Sequence, residues 1–394
     1  MAGTWLPLAH GTTAPMTESW SERLSALVGV VALCLAALFL VQEHSYFYDD
    51  AFITLRYARH LAEGFGPRWN LAGPAVEGFT SPLHVLLIAF LLKLKVGAIT
   101  APRMIAFAFH LVLVIWVWRW SRPRFGSLGA TIAASSIATS FAMLFWDLGG
   151  LEAVPFAALC TCATLAMLSY ADGGGRRYLI AGSVLWGLAC LTRLDGLVPA
   201  VYTAALVCLT RPVDRKERLR DVAIFAAFLA LALVPYEAFR LAYFHQLLPN
   251  TYYAKVYGIP RWYLIGSGRH YLHLFAATTP FPLPLLVAVA AAQAFFRVLR
   301  PRSLFLIGWI GVVILFVVAN GGDYMFGFRF LLTTIPIIYV AIVQGLSSLG
   351  LLDRPRTAIP IAVGLLFLFA SQFRTADSES TQRGHHLTGR KNRR

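Results

Sequence analysis

The sequence predicts an all-α, polytopic integral membrane protein, and its composition already excludes most other classes. Of the 394 residues, 58% are apolar and only 13% are charged, whereas soluble domains carry about 45–50% apolar and about 25% charged residues. At roughly 20 residues per crossing, this apolar content allows at most about 11 membrane helices. A soluble fold and a single-span receptor are therefore excluded. A transmembrane barrel is excluded too, because its strands alternate in polarity.

The apolar residues occur in long runs that give the order of the membrane spans. The first run covers 25–41, and we interpret it as a retained signal anchor because no cleavage site of small residues follows it. Ten further runs are predicted to cross the membrane: 103–120, 127–145, 152–170, 177–192, 196–210, 222–243, 280–297, 304–319, 330–349 and 357–373. The run 82–92 is too short to cross, so we predict an interfacial or re-entrant helix there.

The distribution of charge gives the orientation of these spans. With the N-terminus inside, the cytoplasmic segments carry 16 basic and 7 acidic residues, against 12 basic and 10 acidic residues outside. This asymmetry satisfies the positive-inside rule, so the net charge of +15 reports topology and not nucleic-acid binding. Residues 1–373 form one predicted transmembrane domain, in which 42–102 is the first periplasmic loop with amphipathic helices. The basic tail 374–394 is predicted to be disordered. Eleven crossings place this tail outside, whereas its positive charge would favour the cytoplasmic side.

An acidic pair, Asp49 and Asp50, follows the first span directly. Two adjacent carboxylates beside low-dielectric lipid repel each other. They therefore require a proton, a cation such as Mg²⁺ or Mn²⁺, or a raised pKa that makes one of them a general base. The alternative is structural, because Asp50 could instead cap a helix over 51–62.

Other polar residues recur at membrane depth on the predicted outer face, where ionisable groups are costly and are candidates for function. Lys255 and Arg329 suit a phosphate group, with snorkelling as the alternative. The remaining candidates for substrate binding or structure are Glu77, Asp147, Glu152, Arg193, Asp195, Asn250 and Asp323.

Most of these residues also have a structural explanation, whereas Glu77 and Asp323 are weak candidates alone and count because they share a face with the others. Asp147 and Glu152 could cap helices around a Gly-Gly turn, Arg193 and Asp195 could form a local ion pair, and Asn250 could serve a turn after Pro249. The five cysteines lie in apolar runs and are predicted to be packing residues.

Together the outer-face residues indicate a site for an anionic, lipid-embedded substrate. Basic groups would hold its head group, and a carboxylate would remove a proton. The sequence contains no Walker loop, GxSxG, HExxH or Rossmann glycine motif in a usable context, so ATP-driven transport and redox chemistry with a soluble cofactor lack support.

These motifs resemble a known enzyme class. An acidic pair after the first span is similar to the polyprenyl-phosphate-sugar-dependent glycosyltransferases of the GT-C fold. More narrowly, the motifs in order across 45–335 resemble the mycobacterial terminal arabinofuranosyltransferase family and its proteobacterial relatives. They are Asp49-Asp50-Ala-Phe-Ile-Thr-Leu-Arg56, Val-Glu77-Gly-Phe-Thr-Ser-Pro82, Gly150-Leu-Glu152, Leu-Thr-Arg193-Leu-Asp195-Gly, Leu-Pro249-Asn250-Thr-Tyr-Tyr-Ala-Lys255 and Gly-Gly-Asp323-Tyr-Met, with Arg329 beyond.

The resemblance implies a GT-C-like bundle of about 11 helices that transfers a sugar, such as the pentofuranose arabinofuranose, from a polyprenyl phosphate. The acceptor would be a glycan, lipid or protein on the periplasmic face of a bacterial inner membrane. It places catalysis on Asp49 or Asp50, and the donor phosphate on Lys255, Arg329 and Arg56.

Two departures from the family pattern are visible. The chain stops about 20 residues after its last span, where the arabinofuranosyltransferases have a soluble outer domain, so a shorter acceptor or a partner protein is expected. In addition, Asp195 stands where relatives would have Glu.

Two other functions remain open. One is a transporter or flippase of lipid-linked sugars, which should show an inverted repeat or broken helices in matching halves. The other is a non-catalytic subunit for envelope assembly.

Overall fold

The computed structural model describes residues 16–365 and 367, except 256, 279–281, 324 and 326. Its regular structure is helical, and no described residue belongs to a β-strand. The predicted all-α class is therefore confirmed. The basic tail 374–394 lies outside the described residues, as does the end of the last predicted span.

Fourteen α-helices are defined in this part of the chain. They are α1 (Met16–Gln42), α2 (Ala51–Ala62), α3 (Pro82–Lys93), α4 (Thr100–Ala138), α5 (Phe141–Gly149), α6 (Ala153–Ala171), α7 (Arg176–Thr192), α8 (Leu197–Thr210), α9 (Arg215–Phe244), α10 (Asn250–Lys255), α11 (Arg261–Thr278), α12 (Pro282–Phe295), α13 (Pro301–Ala319) and α14 (Thr334–Ser348). Residues 355–365 are helical as well. A 3₁₀ turn, Leu194–Gly196, joins α7 to α8.

Five of the described helices are long and apolar enough to cross a membrane, namely α1, α4, α6, α9 and α13. Helices α7, α8, α12 and α14 coincide with predicted spans, but with 14 to 17 residues each they are shorter than those five helices. A helix of 14 residues, such as α8, rises only about 21 Å, against a hydrocarbon core of about 30 Å. The chain is thus a multi-pass membrane protein, and the count of eleven crossings stays a prediction.

One expectation about helix boundaries is wrong. The predicted span 127–145 is divided, because α4 ends at Ala138 and α5 begins a new helix after the extended Ser140. Within the range of α4, Gly126 has non-helical angles (φ 71°, ψ 179°) and the chain reverses there, because His110 Nε2 lies 3.3 Å from the Ile137 carbonyl. The range of α4 therefore holds two helices. The segment 244–279, where no membrane span is predicted, contains α11, whose interspersed polar residues hide it from a search for apolar runs.

Helix α6 forms the centre of the bundle. All of its residues are buried, which agrees with a sequence that is apolar on every side. It packs mainly against α4, α7 and α8. Cys160 and Cys162 lie on it as free, buried thiols, so they act as packing residues there.

The bundle has two polar ends, separated by the length of α6. At the end predicted to be cytoplasmic, Asp172 follows α6 and accepts hydrogen bonds from Arg124 at 3.1 Å and Arg302 at 2.8 Å. These bonds tie Arg124, near the break in α4, and Arg302, at the start of α13, to the end of α6. The opposite end holds the turns 43–50, 149–152, 193–196 and 320–333, and with them the candidate functional residues.

Candidate active site

The acidic turn after α1 is docked on the turn between α5 and α6. The backbone N–H of Tyr48 donates to the Gly149 carbonyl at 3.1 Å, and the rings of Tyr48 and Trp146 lie 5.5 Å apart. Gly150 has a φ of 81°, and a Cβ there would lie 2.4 Å from the Phe47 ring. Only glycine therefore permits this close approach. The contact fixes Asp49 and Asp50 beside the start of α6.

Arg103, at the beginning of α4, holds the same junction together. Its guanidinium donates to the backbone carbonyls of Tyr46 at 2.5 Å and of Leu148 at 3.2 Å. Arg103 is not among the residues predicted from the sequence. An arginine in the first turn of a membrane span could have been a signal for it, because a charge at that depth needs a partner.

The two carboxylates of the acidic turn are accessible. Asp49 is exposed and Asp50 is half-buried. The Asp50 side chain makes no capping hydrogen bond to α2, so the capping alternative for this residue is wrong. The Asp49 carboxylate accepts the N–H of Asp50 at 2.8 Å.

An ionic cluster lies at the same end of the bundle, centred on Arg193. Its Nη1 donates to Glu152 Oε1 at 2.8 Å, and its Nε and Nη2 each lie 3.1 Å from an oxygen of Asp195. The Arg193–Asp195 ion pair is therefore confirmed, with Glu152 as a third member. Glu152 occupies the N-cap position of α6, but its side chain makes no capping bond.

The loop after α13 completes this cluster. Arg329 Nε lies 2.5 Å from Asp323 Oδ2, and the Phe330 ring packs under the Arg193 guanidinium at 4.4 Å. Burial alone would raise the pKa of Glu152, but the charges of Arg193 and Arg329 outweigh it and hold that pKa below its usual value.

His84 on α3 closes one side of the cluster. Its Nε2 lies 3.3 Å from the Gly150 carbonyl. Burial lowers the pKa of this imidazole, although the neighbouring Glu152 carboxylate acts in the opposite direction. His84 is not among the residues predicted from the sequence, because a single histidine in an apolar helix forms no pattern.

Glu77 belongs to a second cluster, which attaches the first loop to α9. Its carboxylate accepts hydrogen bonds from Tyr236 Oη at 2.5 Å and from Arg240 Nε at 2.8 Å. The Asn250 N–H donates to the Glu77 carbonyl at 3.2 Å. Asn250 and Glu77 thus meet, and none of these hydrogen bonds involves a residue of the Arg193 cluster. Sequence reasoning did not identify Tyr236 or Arg240.

Asp147 is not part of an accessible site. It is fully buried in the last turn of α5, and its Oδ2 lies 2.6 Å from Nδ1 of His110 on α4. This position excludes an N-cap role for Asp147. The pair instead joins two helices inside the bundle.

The three candidates for the donor phosphate fall in different places. Arg329 lies in the Arg193 cluster, whereas Arg56 lies on the exposed face of α2, donates to the Trp69 carbonyl at 2.8 Å and stacks on the Trp69 ring. Lys255 ends α10, and its side chain is outside the described part of the structure.

The acidic pair supplies two adjacent carboxylates for a cation. Among the described residues, no group of three or more His, Cys, Asp and Glu side chains could hold a metal ion. Any Mg²⁺ or Mn²⁺ at Asp49 and Asp50 would therefore need water or substrate oxygens as its other ligands.

The fold and this site define the class of protein: a multi-pass, all-α membrane protein with a GT-C-like fold. The chain superimposes on the crystal structure of ArnT from Cupriavidus metallidurans bound to undecaprenyl phosphate with a TM-score of 0.64, at 18% identity. That match covers 86% of this chain and 62% of ArnT. For the apo state of ArnT the TM-score is 0.60, again at 18% identity, with 82% and 59% covered.

The sequence comparison gives one partial match. Residues 80–238 match the family model of dolichyl-phosphate-mannose-protein mannosyltransferases. No curated protein matches the chain. The predicted GT-C-like fold is therefore confirmed, whereas the closer likeness to the arabinofuranosyltransferases stays a prediction. The chain spans about 62% of the length of ArnT.

Proposed function

We propose that the protein is a membrane glycosyltransferase that takes a sugar from a polyprenyl phosphate and transfers it to an acceptor hydroxyl. The observation that carries the proposal is the docking of the Asp49–Asp50 turn on the 149–152 turn, beside the Arg193 cluster. The partial match to dolichyl-phosphate-mannose-protein mannosyltransferases supports it. So does the shared fold with ArnT, which was crystallised with undecaprenyl phosphate.

The proposed reaction uses the acidic pair as the base. Asp49 or Asp50 removes the proton of the acceptor hydroxyl, the acceptor oxygen bonds to the anomeric carbon, and the carbon–oxygen bond to the phosphate breaks. Polyprenyl phosphate leaves as the second product. Because phosphate is a good leaving group, the protein mainly supplies positioning, charge stabilisation and this one base.

Arg329 and Lys255 are proposed to hold the phosphate of the donor. A guanidinium has five N–H donors, so Arg329 can bind Asp323 and still donate to a phosphate. The Arg193 cluster itself holds three carboxylates and two guanidiniums. The cluster therefore carries one more negative than positive charge. For this reason we propose that Arg193 holds Arg329 in position and does not bind the anion itself.

The finer assignments rest on the family resemblance. They are a pentofuranose such as arabinofuranose as the sugar, a glycan, lipid or protein acceptor, and an active site on the periplasmic face of a bacterial inner membrane. The orientation has a direct test. A tag inserted at Arg215 should be protected from reagents added outside intact cells, and labelling from outside would reverse the proposed sidedness.

One assay tests the proposed activity. Purified protein is incubated with polyprenyl-phosphate sugars labelled in the sugar, one carrying a pentofuranose and one a hexose, and released polyprenyl phosphate is measured. Release identifies a transferase, and the preferred donor identifies the sugar class.

Movement of intact donor across proteoliposomes without release would instead indicate a flippase. If the protein shows neither release nor movement of the donor, a non-catalytic subunit for envelope assembly is the remaining interpretation. Loss of release with a chelator would place a divalent cation in the reaction.

A further inference from the structure

A cavity of about 740 Å³ lies between α2 and the C-terminal end of α3. Four of the side chains that line it are arginine or lysine, one is the histidine His60, and only Glu63 is acidic. The arginines and lysines are Arg56, Arg59, Lys93 and Lys95. None of Asp49, Glu152, Arg193 or Arg329 lines this cavity, so it is separate from the candidate active site.

The charges in the cavity do not balance. Arg59 Nε lies 2.8 Å from Glu63 Oε1, and this pair neutralises itself. Arg56, Lys93 and Lys95 then leave three positive charges around one concave space. Arg56 is held in place by the Trp69 carbonyl and ring, so its charge is fixed at the wall. Such a space is complementary to an anion that carries several acceptor oxygens.

Lys95 adds an independent observation, because its backbone is in a conformation that disfavours lysine. Its φ is 65°. The Val96 N–H bonds the Leu91 carbonyl at 3.1 Å, and the Lys95 N–H bonds the Leu92 carbonyl at 2.9 Å. These two bonds form a Schellman motif, in which the left-handed position is normally occupied by glycine. The left-handed lysine lines the basic cavity, so its backbone strain is consistent with a role for its side chain there.

The surroundings of the cavity are apolar. Phe52, Leu55 and Leu92 line its walls beside the basic groups. Two apolar side chains of α3, Leu86 and Phe90, are 55% and 61% exposed. Helix α3 has 12 residues, too few to cross a bilayer, and its exposed apolar side chains beside Lys93 suit contact with lipid at the membrane surface.

We propose that this cavity binds the phosphate head group of an anionic phospholipid from the surrounding bilayer. Arg56, Lys93 and Lys95 contact the phosphate, while Phe52 and Leu92 contact the first carbons of the acyl chains. The bound lipid anchors the α2–α3 hairpin, and with it the start of the first loop, to the membrane surface. This proposal does not depend on the glycosyltransferase activity, and it assigns Arg56 to the phospholipid and not to the sugar donor.

Native mass spectrometry of the full chain in detergent tests the proposal. The protein is titrated with phosphatidylglycerol and with phosphatidylcholine of identical acyl chains. We expect the wild type to retain phosphatidylglycerol several-fold more than phosphatidylcholine. Lys93→Gln combined with Lys95→Gln should remove most of that preference. The matched control, Arg354→Gln combined with Arg356→Gln, removes two exposed charges elsewhere and should keep it.

A second variant separates lipid binding from folding. Lys95→Gly relieves the left-handed strain, so its melting temperature should equal or exceed that of the wild type while its retention of phosphatidylglycerol falls. Equal retention of the two lipids by the wild type would overturn the proposal, as would an equal loss in the control variant. Displacement of the phospholipid by inorganic phosphate alone, or by a lower concentration of polyprenyl phosphate, would assign the cavity to another ligand and also overturn it.

Discussion

Arg193 donates a 2.8 Å hydrogen bond to Glu152 and thereby joins the turn after α7 to the beginning of α6. Only 11% of the Arg193 side chain and 4% of the Glu152 side chain are exposed. The two residues are 41 positions apart in the chain. Their contact holds two turns of the candidate active site in a fixed relation, and Asp195 and Phe330 support the same guanidinium.

Replacing Arg193 by alanine should destabilise the protein strongly, because it leaves the Glu152 carboxylate buried without its partner. Removing one member of a buried ion pair costs about 3–5 kcal/mol. The measurement is thermal unfolding of the purified protein in detergent. Arg354→Ala, at an exposed arginine, should shift stability by no more than about 0.5 kcal/mol. Equal melting temperatures for the two variants would contradict the importance of this pair.

His84 predicts how stability depends on pH. Burial lowers the pKa of His84 in the folded state, with 6.5 as its ordinary value. Below pH 6.5 the unfolded chain therefore binds more protons than the folded chain, and stability should fall as the pH decreases. Melting temperatures measured between pH 7.5 and pH 5, values chosen to bracket about 6.5, should decline for the wild type.

The matched variant for that experiment is His84→Gln, which keeps a donor for the Gly150 carbonyl and removes the titration. Its melting temperature should depend less on pH over the same range. Identical slopes for the wild type and this variant would show that other groups cause the decline.

The sequence predicts much of the helical architecture, because long apolar runs leave few alternatives. It also predicts the Arg193–Asp195 pair, whose members are two residues apart. It does not predict the partner of Glu77, since Arg240 lies 163 positions away and no local pattern selects it. The pairing depends on how α9 packs against the first loop. In the same way, Lys95 becomes notable only when its backbone angle is known.

Burial also separates residues that look equivalent in the sequence. Asp147 and Asp49 are both acidic residues near the end of an apolar segment. Asp147 is fully buried against His110, whereas Asp49 is exposed. The difference arises because α5 is a separate helix, and its last turn places Asp147 inside the bundle. Composition and periodicity do not contain that information.

A substitution at Gly150 should affect both the stability of the protein and the geometry of the candidate active site. Gly150→Ala would force an L-residue into a φ of 81° and place its Cβ 2.4 Å from the Phe47 ring. The left-handed conformation alone costs about 1–2 kcal/mol, and the clash should also move the acidic turn. We therefore expect a lower melting temperature and a large loss of sugar transfer.

Gly64→Ala is the matched control for the backbone term. Gly64 has a φ of 90°, but a Cβ there meets nothing within 4 Å. Its melting temperature should fall by the strain alone, with transfer preserved. If both alanine variants lose transfer equally, the contact between Gly150 and Phe47 does not position the acidic turn.

The acidic pair gives the test of catalysis. If one carboxylate is the general base, Asp49→Asn or Asp50→Asn should lower the rate of sugar transfer by about 10²–10⁴-fold, the usual contribution of such a group. Neither change should affect folding much, because Asp49 is exposed and Asp50 makes no capping bond. The measurement is the rate of polyprenyl phosphate release, with melting temperature as the check on folding.

Glu43→Gln, a half-buried acid at the end of α1, controls for the loss of a negative charge in this region and should stay active. Because adjacent carboxylates can share a role, the two single variants are compared with the double variant. Full activity in all three would remove the base from this turn and would leave the Arg193 cluster as the place to look for it.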